Sequence, residues 1–248
     1  MSIADSKVYL VGCGVGDPDL LTIKAYKTIQ EVDIILYDYL ISDEIMELVP
    51  KETEKVFVGK RQGHHSFSQE EINQIIIKYA KDGLKIARLK SGDPFVFGRG
   101  AEEMKELLAH NIQTEVISGI SSSISAPALA NIPVTARDYA SGFTVVSAHL
   151  KDNKVNLDWC DLLKKENHTI VVLMGLSRVV EIVEEAKRLE VKQDKPCAII
   201  SNASRENQSV IYTSLKNLII DSKDAQKPAI LVFGDVVNYF EKKESYGL

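Results

Sequence analysis

The chain has 248 residues, 45% hydrophobic and 26% charged, an ordinary globular composition that argues against disorder. Its formal net charge of -5 argues against a generic polyanion binder, so an anionic ligand must be met by a local basic cluster. Three scattered cysteines, Cys13, Cys160 and Cys197, with no CxxC pair, argue against a disulfide framework or a structural zinc site.

Residues Met1–Asp5 lack the basic-then-apolar pattern of a signal peptide. The apolar runs fall short of the roughly 20 residues that cross a bilayer. The expectation is a cytoplasmic protein with reduced thiols and neither a membrane nor a nucleic-acid partner.

The apolar run Val8–Val11 predicts a strand ending in glycines. Leu20, Leu21, Ala25 and Ile29 then recur at helical spacing. Ile34–Tyr37 reads as a second strand. Ser68 with Glu71 three residues on is a capping box, followed by Ile72, Ile75, Ile76 and Tyr79 on one helical face. Leu84–Leu89 predicts a strand, Glu102–His110 a helix and Thr114–Ile117 a strand. This alternation predicts a mostly parallel sheet covered by helices.

A break falls near Ser118-Gly119, followed by the small-residue stretch Ile120–Leu129 with its Pro127. Beyond it, Phe143–Ser147, Thr169–Leu173, Cys197–Ile200, Val210–Thr213 and Ala229–Phe233 read as strands. Helices are expected near Leu157–Lys165, Ser177–Leu189 and Leu215–Asp221. Closely spaced late strands predict a mixed second sheet. The fold class is α/β with two α/β domains, 1–117 and 118–248, and an active site in the cleft between them.

The loop Gly12-Cys13-Gly14-Val15-Gly16-Asp17 has two readings. A glycine loop after the first strand, with Asp38 ending the second, suits a dinucleotide-dependent dehydrogenase. Against it, Asp17 stands where that fingerprint needs a third glycine, and a carboxylate beside a pyrophosphate is repelled. A methyl donor with a positive sulfonium and no phosphate suffers no such penalty.

The loop continues as Asp17-Pro18-Asp19-Leu20-Leu21-Thr22. Tyr37-Asp38, Val58-Gly59-Lys60-Arg61 and Arg88-Leu89-Lys90-Ser91-Gly92-Asp93-Pro94-Phe95-Val96-Phe97-Gly98-Arg99-Gly100 follow in order. Ile132-Pro133-Val134-Thr135-Ala136-Arg137 closes the series. In order and spacing these segments resemble the tetrapyrrole methylase family, over about Val8 to Val237. The resemblance implies a homodimer that uses S-adenosyl-L-methionine, releases S-adenosyl-L-homocysteine and needs no metal. It implies C-methylation of uroporphyrinogen III at C2 and C7, giving precorrin-2 for sirohaem or cobalamin. A precorrin methyltransferase of the same fold is the alternative.

By the same resemblance, Asp38 is the expected proton acceptor and Lys60 the donor. Val15, Ser91, Gly92, Asp93, Val96, Ser121, Ser122, Met174 and Ala203 are the expected cofactor contacts. Arg61 and Arg99 are the expected anchors for substrate carboxylates, since arginine grips a carboxylate with two hydrogen bonds. His64, His65, Arg88 and Arg137 are further candidates. Departures from the family pattern include Val15 in place of proline, Ser91 in place of glycine and Ser118 in place of proline.

Overall fold

The computed structural model describes residues 6–59, 67–150 and 154–240. They divide into two compact units, Met1–Ser121 and Ser122–Leu248. No helix among the described residues is long and apolar enough to cross a membrane.

In the first unit, β1 (Lys7–Gly12), β2 (Ile34–Tyr37), β3 (Glu54–Phe57), β4 (Lys85–Lys90) and β5 (Thr114–Ile117) form one sheet. Its order is β3-β2-β4-β1-β5 and every pair is parallel. Parallel neighbours need crossovers, and helices supply them. Helices α1 (Ile23–Glu31) and α2 (Asp43–Glu47) cover one face. Helices α3 (Gln69–Lys81) and α4 (Gly100–Ala109) cover the other. Strand alternation sorts the core: Leu10, Ile34, Leu36 and Ile86 face α3 and α4, while Val11, Ile35, Ala87 and Leu89 face α1 and α2.

The expected capping box opens α3. The Glu71 backbone N–H donates to Ser68 Oγ at 3.2 Å, and the Ser68 N–H donates to Glu71 Oε2 at 2.7 Å. Helix α2 falls outside the predicted elements. The pattern of β3 is half polar, Glu54-Lys55-Val56-Phe57, as suits an edge strand. Helix α2 spans only five residues and is set by the Ser42 cap.

In the second unit, α5 (Ser122–Leu129) precedes β6 (Gly142–Ser147), β7 (His168–Leu173), α6 (Val179–Arg188), β8 (Pro196–Ser201), β9 (Ser209–Ser214), α7 (Leu218–Asp221) and β10 (Ala229–Phe233). The sheet order is β6-β7-β10-β8-β9. Strands β6 and β7 are parallel and the other pairs antiparallel, so the sheet is mixed as expected. The last strand inserts between β7 and β8 rather than at an edge.

Helix α5 also falls outside the predicted elements, and it runs through Pro127. Buried small residues (Ser123, Ser125, Ala126) let the helix pack against β7 and β10, and tertiary packing overrides propensity. The helix expected near Leu157–Lys165 is a 3-10 turn at Cys160–Lys164. Cys160 and Leu163 point inward from it, and a 3-10 turn brings residues three apart onto one side.

The cap at α3 gives the first prediction. Ser68→Ala should lower stability by about 1 kcal/mol, read as a shift of the urea midpoint with an unchanged slope.

Candidate active site

Register aligns the carboxyl ends of the first sheet. Tyr37 lies opposite Phe57, Leu36 opposite Arg88, Gly12 opposite Lys90 and Val11 opposite Ile117. Val15, Asp38, Ser91, Gly92, Asp93 and Ser121 therefore all follow the same sheet edge. Open α/β sheets bind ligands at that edge.

Three backbone segments touch there. A Cβ on Gly12 would lie 2.5 Å from the Gly119 nitrogen and 2.7 Å from the Gly92 oxygen. A Cβ on Gly119 would lie 2.5 Å from the Gly12 carbonyl carbon. Real side chains do not tolerate such distances, so only glycine permits the crossing. The contact is sealed by Gly92 N–H donating to Gly14 O at 2.6 Å and Gly14 N–H donating to Gly92 O at 3.2 Å. Both residues hold a left-handed backbone, with φ of +66° at Gly14 and +70° at Gly92.

Asp93 fastens the same rim. Its Oδ2 accepts from Ser118 Oγ at 2.5 Å and from the Gly119 N–H at 3.2 Å, while Oδ1 accepts from the Phe95 N–H at 2.8 Å. Ser118, a departure from the family pattern, thus supplies a hydrogen bond that proline could not. Val15 is buried and Val96 half-buried. Arg99 forks onto its neighbour Glu102, with Nη2 donating to Oε2 at 2.6 Å. Hydrogen bonding to Glu102 raises the guanidinium pKa above its ordinary value.

Asp38 ends β2. Its Oδ1 accepts from the Leu40 N–H at 3.0 Å, and its Oδ2 accepts from Arg88 Nη2 at 3.1 Å. Arg88, a candidate for substrate carboxylates, is corrected by the structure: its side chain is 6% exposed and turned inward. The reason is strand alternation, which points Arg88 and Lys90 toward α3 and α4 along with Ile86. There the fully buried Glu103 meets them. Lys90 Nζ lies 2.9 Å from each Glu103 oxygen, and Arg88 Nε lies 3.5 Å from Oε1. Gln69 adds a hydrogen bond of 3.0 Å to Glu103. Burial lowers the Lys90 pKa, with Arg88 acting in the same direction and Glu103 opposing it. Sequence reading missed Glu103 and Lys90 as a set. The available signal was the pair of basic residues two apart on a strand, with a glutamate in the next helix.

In the second unit, Leu173 lies opposite Ile230 and Ser201 opposite Ala229. Met174 and Ala203 therefore leave the sheet at one common edge. Met174 has a left-handed φ of +58° and is 46% exposed. Asn202 and Ser204, flanking Ala203, also have positive φ. Ser201 Oγ is buried without a hydrogen-bond partner among the described residues. In the first unit, Phe97 and Arg99 share the left-handed backbone. Such conformations cost roughly 1–2 kcal/mol for a residue with a Cβ, and they concentrate at functional loops. Ser122 opens α5, half-buried, and Arg137 lies exposed in the loop before β6.

Lys60, Arg61, His64 and His65 lie outside the described residues. Burial pushes Cys13, Cys160 and Cys197 each up to about 12, so none is a thiolate near neutral pH. The cysteine in the glycine loop therefore packs rather than reacts.

Comparison with known proteins now bears on this geometry. Residues 7–219 match the family model described as Tetrapyrrole (Corrin/Porphyrin) Methylases. The chain belongs to that family. It is 46% identical over 240 residues to a uroporphyrinogen-III C-methyltransferase of Methanocaldococcus jannaschii, covering 96% of this chain and 99% of that protein. It is 44% identical to a siroheme synthase of Photobacterium profundum, covering 97% of this chain and 51% of the relative. The chain thus spans about half the length of such siroheme synthases. A crystal structure of uroporphyrin-III C-methyl transferase from Thermus thermophilus, complexed with S-adenyl homocysteine, superposes with a TM-score of 0.82 at 35% identity, covering 94% of each chain.

The buried charges give a second prediction. Glu103→Ala would strand Lys90 and the Arg88 Nε edge without their partner. Stability should fall by about 3–5 kcal/mol, measured by urea unfolding.

Proposed function

We propose that this protein methylates uroporphyrinogen III at C2 and C7, using S-adenosyl-L-methionine and yielding precorrin-2. The observation that carries this reading is the near end-to-end likeness to the M. jannaschii uroporphyrinogen-III C-methyltransferase. The Asp93-pinned glycine rim, following the sheet edge where Asp38 also stands, is consistent with it. A rival dinucleotide site is disfavoured locally, because Asp17 caps the turn at the would-be phosphate position through the Asp19 N–H.

The methyl donor supplies an electrophilic sulfonium methyl, and no metal is needed for its transfer. The residues present fit such a group. Ser201 Oγ, without a hydrogen-bond partner among the described residues, offers a polar contact at the end of β8, and the exposed Met174 side chain offers apolar surface after β7. Gly92 brings backbone to the surface of the rim, and Val15, Ser91, Asp93, Val96, Ser121, Ser122 and Ala203 complete the proposed contact set. Asp93 would act mainly by holding the rim, since both its oxygens already accept protein hydrogen bonds.

The remaining chemistry is proton handling and orientation. A pyrrole carbon that gains a methyl must lose a proton as the ring conjugation settles. Asp38 is the proposed acceptor. Two of the roughly four lone-pair positions of its carboxylate are engaged, and the group is 23% exposed. Lys60 is the proposed donor and Arg61 a proposed carboxylate anchor. Arg99 has its Nε and Nη2 edge on Glu102 and would meet a substrate carboxylate from its Nη1 side. Homodimerisation, implied by the family resemblance, and a cytoplasmic location are part of the same reading.

Anaerobic incubation with uroporphyrinogen III and labelled S-adenosyl-L-methionine should transfer two methyls per tetrapyrrole. Transfer of none, or transfer only to a later precorrin, would overturn the assignment. Asp38→Asn should lower kcat about a hundredfold while S-adenosyl-L-homocysteine affinity, by calorimetry, stays within twofold. Unchanged turnover would remove Asp38 from the chemistry.

A further inference from the structure

We infer that Arg88 is the positioning residue for Asp38, held in place from beneath by Glu103 and Lys90. The inference rests on the reading of Asp38 as the proton acceptor, and it deepens that reading.

The four groups form one chain from the interior to the surface. Lys90 and Glu103 lie at its base, with side chains 7% and 0% exposed. Arg88 follows at 6%, and Asp38 ends it at 23%. With all four ionised the charges cancel. Asp38 is the one member that opens outward, so the buried three serve a carboxylate at the sheet edge. The guanidinium is held by two hydrogen bonds and one ion pair: Nη1 donates to the Leu89 carbonyl at 2.8 Å, Nη2 donates to Asp38 at 3.1 Å, and Nε, with no hydrogen-bond partner among the described residues, lies 3.5 Å from Glu103 Oε1. A planar fork held at both Nη groups keeps its direction, and it orients one Asp38 oxygen. The Leu40 N–H fixes the other at 3.0 Å. The carboxylate plane is thereby set before any substrate arrives, which is what proton transfer at a defined carbon requires.

Stability is a weak reason for such a set. Desolvating two cations and two anions offsets much of their attraction, and apolar residues of similar volume often do as well. Glu103 is the member that makes the arrangement workable. Without it, Arg88 and Lys90 would be two buried like charges two residues apart on one strand. Lys90 in turn neutralises the charge Glu103 has beyond what Arg88 takes. Gln69 from α3 closes the base by donating to Glu103 Oε1 at 3.0 Å and to Asn73 Oδ1 at 3.1 Å.

Lysine at position 88 keeps the charge and loses the fork. Arg88→Lys should lower kcat at least tenfold, with KM for uroporphyrinogen III and affinity for S-adenosyl-L-homocysteine within twofold. In the Asp38→Asn background the same change should cost less than twofold, because both residues act through one carboxylate. Full kcat with only a lowered Tm would make Arg88 merely structural and sink the inference. So would multiplicative losses in the double variant, or a raised KM with intact kcat. If Arg88→Lys does not fold, Glu103→Gln is read in its place. It keeps the shape and removes the charge holding Arg88, and a threefold or larger fall in kcat is expected. The two readings separate cleanly. A fully active Asp38→Asn removes both, whereas a slow Asp38→Asn beside a full-speed Arg88→Lys removes only the positioning role.

Discussion

The first unit depends on a contact between three peptide segments at Gly12, Gly92 and Gly119. Each occupies the space where a neighbour's Cβ would stand. This fuses the loops after β1, β4 and β5 into one rim. The backbone pair between Gly14 and Gly92 seals it, and the Asp93 carboxylate ties it to Ser118 and Gly119. Thr22 adds a further tie, since its hydroxyl lies 3.3 Å from the Ser118 carbonyl and also caps α1. Glycines here serve backbone-to-backbone packing as much as ligand approach. A parallel sheet brings its strand ends to one edge, but only small backbone lets the loops beyond them merge.

Behind that rim lies a second constraint, of charge rather than space. The α3/α4 face of β4 begins apolar at Ile86 and turns cationic at Arg88 and Lys90. Such a strand packs under helices only if they supply an anion, and α4 supplies Glu103. The polarity of the strand end thus dictates the polarity of the helix turns above it, including Gln69 and Asn73 on α3. The outcome at the surface is an aspartate held at both oxygens. Structure and proposed chemistry meet at that residue.

Much of this was legible in the sequence. Alternating apolar runs gave the parallel sheet, and Ser68 with Glu71 gave the start of α3. The motif order gave the family. What escaped has physical reasons. The five-residue α2 carries too few apolar positions for a periodic signal. Helix α5 is small-residue-rich and carries Pro127, so it forms by packing and has no apolar period to read. Arg88 looked like a free cation, because a sequence shows charge and not burial.

By itself, then, the sequence determined the fold class, the family and the residue types at the strand ends, because periodicity and motif spacing are local properties of the chain. Tertiary structure alone decided what those residues touch. Asp93 lies 25 residues from Ser118 and Arg88 lies 50 from Asp38, separations across which no local pattern specifies a partner. Arg99 and Arg88 are the same residue type in one motif, yet one is exposed on Glu102 and the other buried beneath Asp38. Strand direction and helix packing set that difference, and both exist only once the chain has folded.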